Sequence, residues 1–263
     1  MRSNVHQGHV ARKRFGQNFL VDDGIIHGIV SAIDPQPNDI VVEIGPGLGA
    51  LTDPLLERLP GMQVVELDRD LVERLRRRYG DRLVVHAGDA LAFDFGKLRE
   101  PGRALRIVGN LPYNISSPLL FHLVDFADDV RDQHFMLQKE VVDRMAAGPG
   151  SKVYGRLSVM LQAYCQVTSL FVVPPGAFRP PPKVDSAVVR LVPRDAASVL
   201  IKDRKRFADV VRAGFGQRRK TLRNALSTVC EPAHFEAAGV RPDARAEQLE
   251  VADFIRLANV ELA

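Results

Sequence analysis

Four short stretches hold residue types that could do chemistry together. The first is VVEIGPGLGALT at 41–52, where glycines spaced GxGxG follow an apolar run. Such glycines let the backbone pass close to a ligand and open the next helix; they also serve as plain turn-formers. The spacing is not the GxGxxG of most NAD sites. The second is Glu66, in VVELD, about 20 residues after Gly45. A carboxylate at that distance takes the two ribose hydroxyls of an adenosine cofactor. Asp68 could compete for the role, and a surface acid is the plain alternative. The third is Asp89 in HAGDAL, which could accept from an adenine amino group or simply cap a helix. The fourth is Asn110-Leu111-Pro112-Tyr113, directly after RIVGN. The Asn oxygen and a backbone carbonyl can each accept one N–H of an exocyclic amine. That draws the nitrogen lone pair out of conjugation, toward an attacking geometry. Tyr113 can stack on the face of a flat base. A β-turn with a packed tyrosine is the plain alternative.

These stretches need elements to position them. Apolar periodicity predicts strands at Ile40–Ile44, Gln63–Leu67, Leu83–His86, Arg106–Val108 and His134–Leu137. Helical patterns lie between them, near Gly24–Ile33, Leu51–Leu59, Leu71–Tyr79, Pro118–Phe126 and Glu140–Ala147. Alternation of this kind predicts an α/β fold with a mostly parallel sheet, and all four stretches then fall at strand C-terminal ends. Gly155–Tyr164 reads as a further helix. Val167–Val173 and Val184–Val192, joined by the proline-stiffened PPGAFRPPPK, predict an antiparallel finish to the sheet. Beyond a linker at Pro193–Ser198 only helical patterns follow, at 203–215, 218–229, 231–238 and 244–258. The expected division is a catalytic domain over 1–193 and a small all-α domain over 199–263.

Composition narrows the classes. The 263 residues are 46% apolar and 26% charged, ordinary for a globular chain. No apolar run is long enough for a membrane span, and the basic N-terminus has no apolar h-region. Two cysteines without a CxxC and seven histidines without HExxH argue against a disulfide scaffold or a metal site, and a reducing cytoplasm fits. Nothing demands more than a monomer. The net charge is +4, but it is concentrated. Residues 202–223 hold nine Lys or Arg against Asp203 and Asp209, and the first 20 residues hold Arg2, Arg12, Lys13 and Arg14 without an acid. Two basic clusters suggest a polyanion held at two places.

The glycine turn, Glu66, Asp89 and NLPY together resemble an S-adenosylmethionine-dependent methyltransferase of the Rossmann-like class. With RFGQNFL (14–20), GNLPYNISSPLL (109–120), QKEVVDR (138–144), YGRLSV (154–159), FRPPPKVDSAVVRL (178–191) and GQRRKTLRNAL (216–226), the chain is similar to the ribosomal RNA adenine dimethyltransferases. The fit is best to the bacterial small-subunit branch. The resemblance implies conversion of two adjacent adenosines to N6,N6-dimethyladenosines, in a hairpin loop near the 3′ end of 16S rRNA. The substrate would be the small ribosomal subunit or its precursor, with S-adenosylmethionine as methyl donor and no metal. It implies cofactor contacts at Asn18, Leu20, Gly45, Gly47, Glu66, Asp89 and Asn110, and an active tetrad at Asn110, Leu111, Pro112 and Tyr113. Phe178 would be a second stacking ring; its plain alternative is a core residue anchoring its loop. Arg12, Lys13 and Arg14, with Arg218, Arg219, Lys220 and Arg223, would meet RNA phosphates, unless they form only a solvated face. A large-subunit rRNA dimethyltransferase and a non-catalytic assembly factor are the competing readings. A DNA adenine methyltransferase would more usually carry D-P-P-Y.

Overall fold

A computed structural model describes residues 5–6, 9–10, 17–217 and 219–261. Seven strands make one sheet: β1 (Ile40–Ile44), β2 (Gln63–Glu66), β3 (Val84–Ala87), β4 (Leu105–Asn110), β5 (Val130–Gln138), β6 (Cys165–Val173) and β7 (Ser186–Pro193). Their order is β3-β2-β1-β4-β5-β7-β6. The first five run parallel and β7 runs antiparallel to β5. The antiparallel finish is as expected, with β7 inserted between β5 and the edge strand β6. Every residue of β1 is buried, as a central strand covered on both faces requires. β5 is longer than the apolar pattern indicates. Its buried Asp132, Gln133 and His134 hide the strand from a reading based on hydrophobicity.

Helices α1 (Asp23–Ile33), α2 (Thr52–Arg58), α3 (Arg69–Tyr79) and α4 (Ser116–Val124) connect or flank these strands. Asp22 caps α1 by accepting from the Ile25 amide at 3.0 Å. Asp34 ends it in the left-handed region, φ +46°, just before Pro35. At the opposite end of the sheet from the glycine turn, buried Arg106 donates to Asp39 at 2.8 Å and to Asp132 at 2.8 and 2.9 Å. It also reaches the Ile33 and Asp34 carbonyls, fastening the end of α1 to β4.

The chain forms two compact units, residues 1–142 with 168–193, and residues 143–167 with 194–263. The second holds α6 (Arg156–Tyr164), α7 (Arg204–Gly216), α8 (Leu222–Ala225), α9 (Pro232–Ala238) and α10 (Val251–Asn259); α5 (Lys139–Ala146) bridges the division. Segment 143–167, which the sequence division at 193 leaves with the sheet, clusters with the C-terminal helices. Aromatic packing explains this. Tyr154 meets Phe215 edge-on at 5.9 Å, Tyr164 meets Phe207 at 6.3 Å, and Phe215 stacks on Phe254 at 5.5 Å. The helix expected over 218–229 shrinks to α8. The Leu222 and Arg223 amides donate to the Ala244 and Pro242 carbonyls. No helix among the described residues is long and apolar enough to cross a membrane.

Candidate active site

The strand order reverses between β1 and β4, which opens a crevice above their C-terminal ends. A cleft of about 340 Å³ lies there. Asn18, Leu20, Gly45, Gly47, Glu66, Asp89 and the whole of Asn110–Tyr113 line it. Two glycines make the convergence possible. Gly47 has φ +58°, and a Cβ there would press within 3.2 Å of the Phe19 ring. At Gly109 a Cβ would stand 2.5 Å from the Ile44 carbonyl oxygen, so only glycine lets β4 approach β1 this closely. The loops remain tied to the sheet: the Gly45, Gly88 and Leu111 amides donate to Val65, Glu66 and Met136 carbonyls.

Glu66 is 7% exposed and accepts from the Asp68 amide at 2.9 Å. Burial pushes its carboxyl up to about 7, against the lowering effect of backbone amides at Asp68, Gly47 and Leu67. Asp68 does not compete with it. Its carboxylate caps α3 by accepting from Asp70, and it accepts from Gln17 Nε2 at 3.2 Å. Asp89 is exposed, and its Oδ1 accepts from the Leu91 amide at 2.9 Å, so the local turn role exists alongside any ligand role. Asn110 Nδ2 donates to the Asn18 carbonyl at 3.0 Å, which leaves Oδ1 as the amide's acceptor. The Tyr113 hydroxyl lies 2.7 Å from Ser186 Oγ, and burial pushes its phenol above the ordinary value while that bond opposes the shift.

Phe178 does not join this group. It is 1% exposed, packed in the same core cluster as Leu20, Ile29 and Val173, and its backbone pairs with Leu20 in a short antiparallel ladder. The ring is covered in this structure, and its packing matches the alternative of a core residue anchoring its loop. Arg12, Lys13, Arg14 and Arg218 lie outside the described residues. Arg219, Lys220 and Arg223 are exposed in the second unit and carry no ion pair among the described residues. Lys202 and Lys205 are paired instead, with Glu261 and Asp209.

Leu67 and Ser186 escaped the reading of the sequence, and Glu43, the acidic residue that precedes the glycine turn in VVEIGPGLGALT, was seen there without a role. Leu67 lines the cleft beside Glu66 and is 50% exposed, an apolar surface where a flat base would lie. Its signal was present in ELD but read only for its acids. Glu43 is a buried cleft carboxyl that accepts from Thr52 Oγ1 at 2.6 Å. Burial, opposed by Thr52 and reinforced by Glu66 and Asp53, pushes it up to about 8. Ser186 contributes through Tyr113, and VDSAVV offers no sign of that.

A sheet of this order with a reversed seventh strand, carrying its polar side chains above the β1/β4 reversal, defines a Rossmann-like S-adenosylmethionine-dependent methyltransferase. The family model for ribosomal RNA adenine dimethylase matches residues 8–261, and the chain belongs to that family. It is 74% identical over 267 residues to ribosomal RNA small subunit methyltransferase A of Cupriavidus metallidurans, covering 99% of this chain and 96% of the relative. The protein of that name in Xanthomonas campestris is 73% identical over 256 residues, covering 96% and 97%. Among solved structures, a dimethyladenosine transferase from Plasmodium falciparum superimposes with TM-score 0.77 at 28% identity, over 91% of this chain and 95% of that one. The 23S rRNA methyltransferase ErmE gives TM-score 0.68 at 25% identity, over 92% and 98%.

Proposed function

We propose that this enzyme transfers methyl groups from S-adenosylmethionine to the N6 amines of two adjacent adenosines in a hairpin loop near the 3′ end of 16S rRNA. The products are N6,N6-dimethyladenosines, made during small-subunit biogenesis in the cytoplasm by a monomer. The observation that carries this is the fixed amide of Asn110. Its donor half is occupied by the Asn18 carbonyl, and its acceptor half is left in a cleft shared with Glu66, Leu67 and Asp89. Similarity above 70% to small-subunit enzymes, against 25% to ErmE, favours the small-subunit target.

The cleft residues fit the methyl donor. Glu66 would take the ribose hydroxyls, Asp89 the adenine amine, Leu67 the adenine face, and the backbone at Gly45 and Gly47 the amino-acid portion. When bound, S-adenosylmethionine supplies an electrophilic methyl group on a sulfonium. In the first transfer Asn110 Oδ1 and a neighbouring backbone carbonyl accept the two N6 hydrogens, which draws the nitrogen lone pair out of conjugation with the ring; in the second the single remaining hydrogen has one of these acceptors. Tyr113 holds the base by its face. A neutral amide lets the amine become positive without a full charge beside it. It is no base at neutral pH, so the surplus proton leaves to water. Orientation and local electrostatics then supply most of the rate. Arg219, Lys220 and Arg223 serve RNA phosphates, with the basic residues 12–14 and Arg218 as further contacts.

The test is transfer of labelled methyl groups to unmethylated small subunits, large-subunit RNA and duplex DNA, with the modified nucleotide identified by mass. Dimethyladenosine on the small subunit alone is expected. Label only on large-subunit RNA would move the target, and label nowhere with cofactor bound would leave an assembly factor.

A further inference from the structure

Three serines of the described chain are almost wholly buried: Ser116, Ser158 and Ser186. The hydroxyls of Ser116 and Ser158 donate to backbone carbonyls, of Pro112 and Arg144, and so serve local folding. Ser186 differs. Its Oγ meets the phenolic oxygen of Tyr113 at 2.7 Å, across 73 residues of sequence, and Tyr113 lines the cleft. Ser186 is 0% exposed and stands on a rigid base. Its backbone pairs with Gln138 in the β5–β7 ladder, and the preceding Asp185 carbonyl accepts from the Lys139 amide. Tyr113 itself follows Pro112 in a turn beyond β4, where a ring held only by its own loop would have rotational freedom. A buried hydroxyl on a strand removes that freedom, because a tyrosine has two side-chain torsions and the bond fixes the far end of both.

We propose that Ser186 is a positioning residue for methyl transfer: its buried hydroxyl ties the Tyr113 phenol to the start of β7 and keeps the ring presented to the target base. This rests on Tyr113 being the ring that meets the base. It assigns to the DSAVV stretch a role in orienting substrate, reached through a side chain some 70 residues earlier in the chain. The bond touches the ring and not the cofactor residues, so its loss acts on turnover and leaves the methyl donor's affinity alone.

The experiment compares Ser186→Ala, Ser186→Thr, Tyr113→Phe, Tyr113→Ala and the double variant Tyr113→Phe/Ser186→Ala. Each is assayed for kcat on unmethylated small subunits and for S-adenosylmethionine Kd. Ser186→Ala and Tyr113→Phe should each lower kcat by about three- to tenfold with unchanged Kd. The double variant should be no slower than either single, since both remove the same bond. Ser186→Thr, which keeps the hydroxyl, should recover most of the rate. Losses that multiply in the double variant, or a full rate in Ser186→Ala, would overturn the proposal. Should Ser186→Ala fail to fold, Tyr113→Phe removes the same bond from the other side, and a full rate there overturns it equally. A normal rate in Tyr113→Ala would instead remove Tyr113 from the site. An impaired Tyr113→Ala beside a normal Ser186→Ala would sink the positioning role alone.

Discussion

The proposed function divides single side chains between those that would hold the cofactor and those that would hold the reacting amine, and substitutions should separate them. Glu66→Ala removes a buried acceptor and is expected to weaken S-adenosylmethionine binding by about 10- to 100-fold, read by calorimetry. Asn110→Ala should instead cost turnover, by about 100-fold or more at saturating cofactor. Phe178→Ala is a stability variant: deleting a fully buried ring should cost about 3–5 kcal/mol, seen as a lower denaturation midpoint. A normal midpoint with a slowed reaction would return Phe178 to the site. The two raised carboxyls give a pH test. Glu43 and Glu66, pushed up to about 8 and about 7, lie above their ordinary value of 4.5. The folded protein therefore holds protons that the unfolded chain has released between about pH 4.5 and 8. Stability from these groups is greatest below that window and is lost as pH rises through it. A cationic ligand favours their ionised forms. Affinity for S-adenosylmethionine, relative to its neutral thioether product, should rise between pH 6 and 8.5. Glu43→Gln should lessen that rise and raise the melting temperature above pH 8, with the gain fading to nothing as pH falls below about 4.5. A wild-type ratio independent of pH would show that the sulfonium lies away from both carboxyls.

Elements matter here through how closely two strands approach. Gly109 has no room for a methyl group against the Ile44 carbonyl. Gly109→Ala should cost about 1–3 kcal/mol and, by displacing Asn110, lower turnover beyond the stability loss, measured at a temperature where the variant is fully folded. Much of this architecture was legible in the sequence. The largely apolar run of β1, broken only by Glu43, and the spacing of Gly45, Glu66, Asp89 and Asn110 predicted which strand ends would converge, because parallel strands carry their loops to one edge. What stayed hidden was tertiary. Asp132 of β5 is buried in a pair with Arg106, beside buried Gln133 and His134, so hydrophobicity understates the strand. Residues 218–229 carry a helical pattern, yet Ala244 and Pro242 carbonyls take the amides that would have extended α8. For Phe178 in its proline-rich loop the sequence left both a stacking ring and a core anchor open, and its burial in the cluster with Leu20 is visible only in the structure.

At the scale of the whole molecule there are two compact units, one bearing the cleft and the other a run of exposed basic residues. Replacing Arg219, Lys220 and Arg223 together by Ala should leave S-adenosylmethionine affinity unchanged. It should weaken binding to small-subunit RNA and reduce the dependence of log Kd on log salt by about one per lost phosphate contact. An unaltered salt slope would make them a solvated face. The composition gave the sign of this charge, and the contacts of the structure show which basic groups are already spent. Lys202 and Lys205 pair with acids, whereas these three pair with none among the described residues.

The Asn110 amide, proposed above to accept from the target amine, is oriented by a main-chain oxygen, that of Asn18, and residue 20 is held two steps later by its ladder to Phe178. A carbonyl is supplied by any amino acid. For that bond, position 18 tolerates exchange of its side chain while the number of residues between it and the ladder does not change. Insertion or deletion of a single residue between 18 and 20 would slide the carbonyl by a full peptide and turn the amide loose. As far as that bond goes, a changed letter at position 18 would be forgiven in the gene, and a change of count would not.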